Sequence, residues 1–299
     1  MITVVGSLNA DYVVSVDRRP ELGETISSNS LDILYGGKGG NQAISASKIG
    51  GEVSFIGSVG SDLNGKGYLK ELKQFGINTE NVSVINNIPT GVSLITIEDN
   101  DNCIIYSEGA NGKLSVKDIE SSKRLIEESD IVVVQFEINH NVIEKVLEIA
   151  NQKNVPVILN PAPYKPFPIK WLDKITYITP NEQEFKAITN CDSYNNKYID
   201  KFIITLGKNG VAFHENNERK LIKAPEVEVR DTTGAGDTFN GVLAYYLSTG
   251  SSLQNACEKA VYAASLSTTK LGTHSGIPTE EELKAFIKKS NNGLLNIEG

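Results

Sequence analysis

Short runs of apolar, β-branched residues alternate along the chain with longer stretches in which apolar residues recur at helical spacing. The short runs predict strands at 2–5, 52–57, 130–134, 155–159, 175–178 and 202–206. The longer stretches predict helices at 40–49, 63–75, 115–127, 140–152, 252–268 and 279–288, with a polar, frayed tail after the last. Long helices between β-branched runs favour an α/β fold with a mainly parallel central sheet and helices on both faces.

A different pattern interrupts this alternation. Residues 12–18 and 24–35 alternate apolar and polar side chains, and further strand-like segments at 91–97 and 102–106 have no helix between them. They predict a small β-sheet, a lid formed by about 12–35 and 91–106, on a single domain that spans residues 1–299. Segment 82–85 fits either this lid or the edge of the domain, and 211–214 with 219–223 reads as a hairpin.

Composition narrows the choice of partners. The 299 residues carry a net charge of −8, which argues against nucleic acid or an anionic membrane as the main partner. The three cysteines are far apart and indicate neither a disulfide framework nor a zinc site. The sequence starts directly with a strand and has no signal-peptide pattern and no apolar run of about 18–20 residues. A cytoplasmic protein is expected.

Polar clusters follow the carboxyl ends of the predicted strands. Asn9 and Asp11 follow the first strand, Glu137 follows 130–134, and 160–163 and 181–184 follow later strands. Open α/β sheets bind ligands at this edge. Short carboxylate and amide side chains there could grip hydroxyl groups, although Asn and Asp are also common in ordinary turns.

The most informative stretch is 231–241, Asp-Thr-Thr-Gly-Ala-Gly-Asp-Thr-Phe-Asn-Gly, which a helical apolar pattern follows. Its glycines allow a tight turn into a helix N-terminus, where free N–H groups suit an anion. Asp237 could act there as a general base toward a hydroxyl, while the N–H groups of Ala235, Gly236 and Asp237 hold charge on a transferred phosphoryl group. A capped helix after a loop is the simpler alternative.

Two long segments carry a resemblance to a known family. Residues 36–60 place glycines, Asn41 and Ala43 at the spacing of one signature of the ribokinase-like, or PfkB, carbohydrate kinases, and 231–239 resembles the other. The resemblance spans about residues 2–288. Segments 6–11, 37–43, 160–163 and 179–182 are similar to members that phosphorylate ribose. The resemblance therefore implies ATP-dependent phosphorylation of D-ribose at its primary 5-hydroxyl, giving D-ribose 5-phosphate.

The resemblance also implies roles for individual residues. Catalysis would depend on Asp237 as the base, with Gly234, Ala235 and Gly236. The sugar would be held by Asn9, Asp11, Gly37, Lys38, Asn41, Glu137 and Asp237. ATP, with Mg²⁺ bound through water, would be held by Asn181, Glu184, Thr205, Gly207, Gly210 and Gly236. Activating K⁺ would lie near Asp231, Thr233, Ser267, Lys270, Gly272 and Gly276.

Two departures from the family pattern concern the cation site. Lys270 stands where arginine is common, which a carbonyl ligand tolerates. Gly276 stands where a serine often supplies an oxygen, so K⁺ binding is expected to be weaker.

The resemblance further implies a homodimer that pairs through the lid. In a monomer, apolar lid residues would be left exposed: Val14, Val16, Ile33, Ile95, Ile97 and Ile105. Alternatives remain open for the activity. The chain could phosphorylate 2-deoxyribose, fructose or a nucleoside, or it could be a non-catalytic sugar-binding protein or a silent sensor with the same fold.

Overall fold

The computed structural model describes residues 1–98, 101–216 and 218–295. The strands are Ile2–Val5 (β1), Asn9–Ser15 (β2), Ser30–Gly36 (β3), Val53–Gly60 (β4), Asn78–Ile85 (β5), Gly91–Glu98 (β6), Asp101–Ser107 (β7), Ile131–Gln135 (β8), Val157–Asn160 (β9), Tyr177–Ile178 (β10), Ile203–Thr205 (β11), Val211–Glu215 (β12) and Glu218–Ile222 (β13). The helices are Lys38–Lys48 (α1), Leu63–Gln74 (α2), Val116–Ser121 (α3), Lys123–Glu127 (α4), His140–Gln152 (α5), Glu182–Thr189 (α6), Ala235–Ser248 (α7), Leu253–Ser267 (α8), Thr273–Gly276 (α9) and Glu280–Leu295 (α10).

A parallel sheet forms the centre of the molecule. Among the described residues its strands lie in the order β10-β9-β8-β1-β4-β5. Strand β1 is central, with Val4 beside Phe55 of β4 and beside Val133 of β8. Every residue of β1, β4, β8 and β9 is buried, which explains why these strands are mostly apolar on both faces.

Helices cover both faces of this sheet, as the sequence predicted. One apolar core joins alternate strand residues such as Val4 and Phe55 to α1, α2, α7 and α8. The core on the opposite face joins Val5 and Val134 to α3, α4 and α5. Because successive strand residues point to opposite faces, β1 contributes to both cores.

The lid is a separate sheet. Four of the described strands form it in the order β3-β2-β6-β7, with β2 antiparallel to β3 and parallel to β6. The predicted lid segment 91–106 includes residues 99 and 100, which lie outside the described part. Strand β5 pairs in parallel with β4, so segment 82–85 belongs to the edge of the central sheet and not to the lid.

A third sheet lies beyond β10. Strands β11, β12 and β13 are antiparallel neighbours, which confirms the predicted hairpin after 202–206. Isolated parallel bridges pair Ile178 with Phe202 and Asn181 with Thr205. These bridges bring the loop after β10 next to the end of β11.

Some predicted boundaries were wrong. The helix expected at 115–127 is broken at Ser122, where α3 ends and α4 begins. Only Ser30–Gly36 of segment 24–35 is strand, because the polar residues before it have no partner strand in register. Helix α10 continues to Leu295, past the predicted end at 288, and 296–299 lie outside the described residues. In the described part of the chain, no helix has the length and hydropathy needed to cross a membrane.

Candidate active site

Asp237 lies in the first turn of α7, directly after the glycine turn. Gly234 precedes the helix with φ +74°, a left-handed conformation that suits glycine, and an added Cβ would lie 2.3 Å from Cγ2 of Thr273. The carboxyl side chain is nearly buried, with 6% of the residue exposed. The turn therefore places a buried carboxylate beside a helix N-terminus, whose N–H groups favour negative charge.

Two amides of α1 hold this carboxylate. Asn41 donates from Nδ2 to Oδ2 of Asp237, and Gln42 donates from Nε2 to Oδ1, each at 2.9 Å. Helices α1 and α7 come close enough for these bonds because α7 carries Gly241, where a Cβ would lie 2.4 Å from the carbonyl oxygen of Gln42. The position of the catalytic candidate thus depends on contact between segments far apart in sequence.

The amide contacts continue beneath the site. Gln42 also donates to Oδ1 of Asn160 at 3.2 Å and accepts a hydrogen bond from Nε2 of Gln135 at 2.7 Å. Asn160 in turn donates to the carbonyl oxygen of Thr179. Gln135, Asn160 and Thr179 follow or end three neighbouring strands, so this buried network ties Asp237 to the edge of the sheet.

Asp11 approaches the same region from the lid. Burial raises the pKa of its carboxyl group to about 6, since removal from water disfavours the charged form, and the negative charges of Glu137 and Asp237 act in the same direction. A side-chain hydrogen bond with Ser93 opposes this rise. Its Oδ1 is buried and has no hydrogen-bond partner among the described residues, so it is available to accept from a ligand hydroxyl.

Glu137 and Asn9 surround the same cleft. Glu137 accepts hydrogen bonds at Oε2 from the hydroxyl of Ser7 at 2.5 Å and from the backbone N–H of Lys38 at 2.9 Å. Asn9 is buried and accepts at Oδ1 from Nδ2 of Asn111 at 2.7 Å. The start of β2 and the segment before α1 pass close together here, since Gly37 has φ +85° and a Cβ on it would lie 3.0 Å from the backbone nitrogen of Asn9.

Lys38 connects the carboxylates of the site. The negative charge of Asp237 raises the pKa of its ammonium group, with Glu137 and Glu184 contributing in the same direction, and burial opposes the shift. The predicted sugar-site residues Asn9, Asp11, Gly37, Lys38, Asn41 and Glu137 therefore gather around Asp237.

A cavity of about 860 Å³ opens on the other side of the glycine turn. The predicted nucleotide residues Asn181, Thr205, Gly207, Gly210 and Gly236 line it, as do Ala235 and Phe239 of α7. Its remaining wall includes the apolar side chains of Val227, Val229 and Val261. A cavity of this size, lined by apolar side chains and by a helix N-terminus, fits a nucleotide with its phosphates.

Asn181 and Glu184 form a capping box at the start of α6. Asn181 accepts at Oδ1 from the N–H of Glu184 at 2.9 Å, and Glu184 accepts at Oε2 from the N–H of Asn181 at 2.8 Å. Burial raises the pKa of Glu184, and the charge of Lys38 opposes that rise. The capping box fixes both side chains, and the carboxylate oxygens are hard ligands that can bind Mg²⁺ or accept a hydrogen bond from its bound water.

The predicted cation residues meet at one loop. Asp231 accepts hydrogen bonds from the N–H of Thr233 at 2.9 Å and of Gly272 at 3.0 Å, joining the glycine turn to the 267–276 loop. At Gly276 a Cβ would lie 2.7 Å from the carbonyl oxygen of Ser267. Lys270 points elsewhere and forms an ion pair with Glu282 at 2.8 Å. The oxygen donors of Asp231 and of the loop carbonyls suit K⁺.

One expectation about the glycine turn needs correction. The N–H of Ala235, expected to face the transferred phosphoryl group, donates instead to the carbonyl oxygen of Thr232 at 3.2 Å. The turn closes on itself at that point, which leaves the N–H groups of Gly236 and Asp237 as the better candidates.

Sequence reasoning also missed several residues of the site. Gln42 lies within the glycine-rich segment beside Asn41, and its position in that segment was an available signal. Asn111, which holds Asn9, and His274 of α9, which contacts Asn41 at 2.9 Å, come from segments distant in sequence. Nothing in the local sequence around these two residues indicates such contacts.

Comparison with known proteins identifies the family of this chain. The model of the pfkB family carbohydrate kinases matches residues 1–280. Ribokinase from Bacillus subtilis (strain 168) is 36% identical over 290 residues, covering 96% of this chain and 99% of the relative. Deoxyribokinase from Salmonella typhi is 30% identical over 300 residues, covering 96% and 98%.

A solved structure has the same fold. Ribokinase of Arabidopsis thaliana complexed with ribose and ATP matches with a TM-score of 0.88 and 31% identity, covering 96% of this chain and 98% of that one. A family match along most of the chain and a relative at 36% identity along nearly its whole length show that this chain belongs to the pfkB family of carbohydrate kinases.

Proposed function

We propose that this carbohydrate kinase transfers the γ-phosphoryl group of ATP to the primary 5-hydroxyl of D-ribose, giving D-ribose 5-phosphate and ADP. The observation that carries the proposal is the place of Asp237. Its buried carboxylate lies between the polar cleft of Asn9, Asp11 and Glu137 and the cavity of about 860 Å³ behind the glycine turn. The similarity to a ribokinase at 36% identity supports ribose as the sugar.

In the proposed reaction the oxygen of the 5-hydroxyl attacks the γ-phosphorus. The new bond from sugar oxygen to phosphorus forms as the bond from that phosphorus to the β-γ bridging oxygen breaks. Asp237 accepts the hydroxyl proton, and ADP leaves with the bridging oxygen and its electron pair. Asn41 and Gln42 each use one carboxylate oxygen of Asp237, and a carboxylate has about four acceptor sites, so it can still take the proton.

The surrounding charges have separate roles in this proposal. The N–H groups at the start of α7 and the ammonium of Lys38 would stabilise charge on the transferred group. The free Oδ1 of Asp11 would accept from a sugar hydroxyl. Mg²⁺, held through Asn181 and Glu184, would neutralise phosphate charge. K⁺ near Asp231, Thr233, Ser267, Lys270, Gly272 and Gly276 would order the turn.

The proposal also covers assembly and location. The lid sheet exposes apolar side chains on strands β3, β6 and β7, which supports a homodimer through the lid. A cytoplasmic location follows from the use of ATP as second substrate.

A substrate panel tests the function. Turnover with ATP is measured for D-ribose, 2-deoxyribose, fructose and a nucleoside, with phosphate position read by ³¹P NMR. We expect D-ribose to give the highest kcat/KM and the product to carry phosphate on the 5-oxygen. A higher kcat/KM for 2-deoxyribose, fructose or the nucleoside would overturn the choice of substrate.

The Asp237→Asn variant is the matched control. It should bind sugar and ATP by calorimetry while kcat falls by about 10²–10⁴-fold, the usual contribution of a positioned base. Turnover within a few-fold of the wild type would exclude Asp237 as the base.

A further inference from the structure

A chain of side chains reaches the catalytic carboxylate from the surface of α2. Glu71 lies 2.8 Å from Nδ1 of His274, measured from its Oε1. Nε2 of the same ring lies 2.9 Å from Oδ1 of Asn41, whose Nδ2 donates to Asp237 at 2.9 Å. Three sequence-distant elements, α2, α9 and α1, therefore connect in one line to the first turn of α7.

The hydrogens along this line follow from what each group can donate. The carboxylate of Asp237 only accepts, so the Asn41 atom that faces it must be the amide nitrogen. The other end of Asn41 is then a carbonyl oxygen, and Nε2 of His274 must carry the hydrogen that it accepts. Nδ1 lies 2.8 Å from the carboxylate of Glu71, which holds the opposite side of the ring.

We propose that His274 is a positioning residue for the phosphoryl transfer. Its Nε2–H holds the carbonyl end of the Asn41 amide, and the amide nitrogen is thereby kept on Asp237. The proposal deepens the proposed kinase function and rests on Asp237 as the base. Without the imidazole, Asn41 would lose the contact that fixes its far end, and the carboxylate would lose one fixed donor.

The position of the ring is well defined. Two aromatic side chains flank the imidazole, Tyr68 on α2 and Phe75 directly after α2. The centroid of each aromatic ring lies 6.3 Å from that of the imidazole. The main chain of His274 is also held, since Nζ of Lys48 donates to its carbonyl oxygen at 3.0 Å. The charged groups around the ring are therefore Glu71, Lys48 and Asp11. Asp237 is one residue farther away, on the other side of Asn41.

Two matched substitutions separate positioning from simple stability. In H274Q the amide nitrogen can occupy the place of Nε2 and still donate to Asn41, whereas H274N has its amide near the place of Nδ1 and reaches only Glu71. We expect H274N to lower kcat by about tenfold or more with little change in ATP KM, the scale of a misplaced catalytic group. H274Q should retain kcat within about threefold, since a single neutral hydrogen bond is replaced. Leu271→Ala, an exposed residue of the same loop, is the control and should match the wild type.

A spectroscopic measurement gives a readout independent of substrate. ¹⁵N NMR of the three histidines at pH 7, with His274 assigned from H274Q, should show a hydrogen on Nε2 of His274. An unprotonated Nε2, or equal kcat losses in H274Q and H274N with matching losses of melting temperature, would overturn the proposal. If the wild type did not phosphorylate D-ribose but the NMR result held, the proposed substrate would be wrong. The hydrogen bonds from His274 through Asn41 to Asp237 would still be supported.

Discussion

The carboxyl group of Asp11 shows how one residue can be costly for folding and useful for binding. It is buried beside other acids, and its pKa is raised to about 6. Its Oδ1 has no partner in the described part of the chain, and Oδ2 lies where a Cβ on Gly36 would be only 2.0 Å away. A free, buried acceptor held in a tight space is well suited to a ligand hydroxyl.

Asp11→Asn tests this role, because asparagine keeps the size of the side chain and removes its charge. We expect the sugar KM to rise by about 10- to 100-fold while the ATP KM stays near the wild-type value, as for a lost charged hydrogen bond. Steady-state kinetics with each substrate varied in turn provide the measurement. Equal changes in both KM values would remove Asp11 from the sugar site.

The raised pKa also sets a direction for stability. The folded state holds the Asp11 proton more tightly than the unfolded state, so this group contributes less stability as the pH rises from about 4 through about 6. Asp11→Asn should therefore be more stable than the wild type at pH 8, with a smaller difference at pH 4, measured by urea unfolding. A variant less stable at pH 8 would contradict desolvation as the main cause.

At the scale of elements, the glycine turn before α7 depends on the 267–276 loop. Asp231 joins the two through the N–H groups of Thr233 and Gly272. The backbone passes so close to the Ser267 carbonyl that glycine at 276 is the residue that fits.

We predict that K⁺ orders this turn and raises kcat by about tenfold, since the N–H groups of the turn are then fixed on the transferred group. The affinity for K⁺ should be weak because of Gly276. Rates and melting temperatures are compared in K⁺ and in tetramethylammonium at equal ionic strength, with Asp231→Asn as the matched variant. Equal rates in the two salts for the wild type would refute the role of K⁺.

At the scale of the whole molecule, the lid leaves apolar surface uncovered. One row across the sheet runs from Ile33 through Tyr12 and Leu94 to Ile105, each residue paired with the next on the neighbouring strand. The residues Ile33, Leu94 and Ile105 are 53%, 50% and 67% exposed. Of the residues that the sequence placed among the exposed ones, Val16 is buried, and Val14, Ile95 and Ile97 are half-buried. The backbone N–H of Val16 donates to the carbonyl oxygen of Ile97, so Val16 continues the pairing of β2 with β6. A thin sheet with an exposed apolar row needs a partner surface.

We predict a twofold dimer in which this row packs against the same row of a second copy. Ile105→Asp should shift the protein toward monomer, because each apolar side chain is worth about 1.5–3 kcal/mol when buried and twofold symmetry counts it twice. Light scattering at micromolar concentration measures the mass. Leu221→Asp, an exposed leucine on β13, is the control and should leave the mass unchanged. A fully active monomeric wild type would sink the prediction.

Much of this protein could be read from its sequence because the signals are local. Continuous apolar runs such as 2–5 and 130–134 marked buried parallel strands, and the glycine turn before Asp237 marked a helix start. Asn181 with Glu184 three residues later is a capping pattern that needs no tertiary contact. The break at Ser122 was missed because α3 and α4 share one apolar period, and only packing against α5 shows where the helix ends.

The sequence by itself determined the fold class, the edge of the sheet where the candidate site lies and the identity of the candidate carboxylate. Each depends on residue type and spacing within a short segment. Only the tertiary structure decided which groups hold that carboxylate. Asn41 and Gln42 reach Asp237 across 196 and 195 positions, and His274 reaches Asn41 across 233. Contacts between such distant residues arise from the packing of α1, α7 and α9 against one another, and no local pattern encodes them.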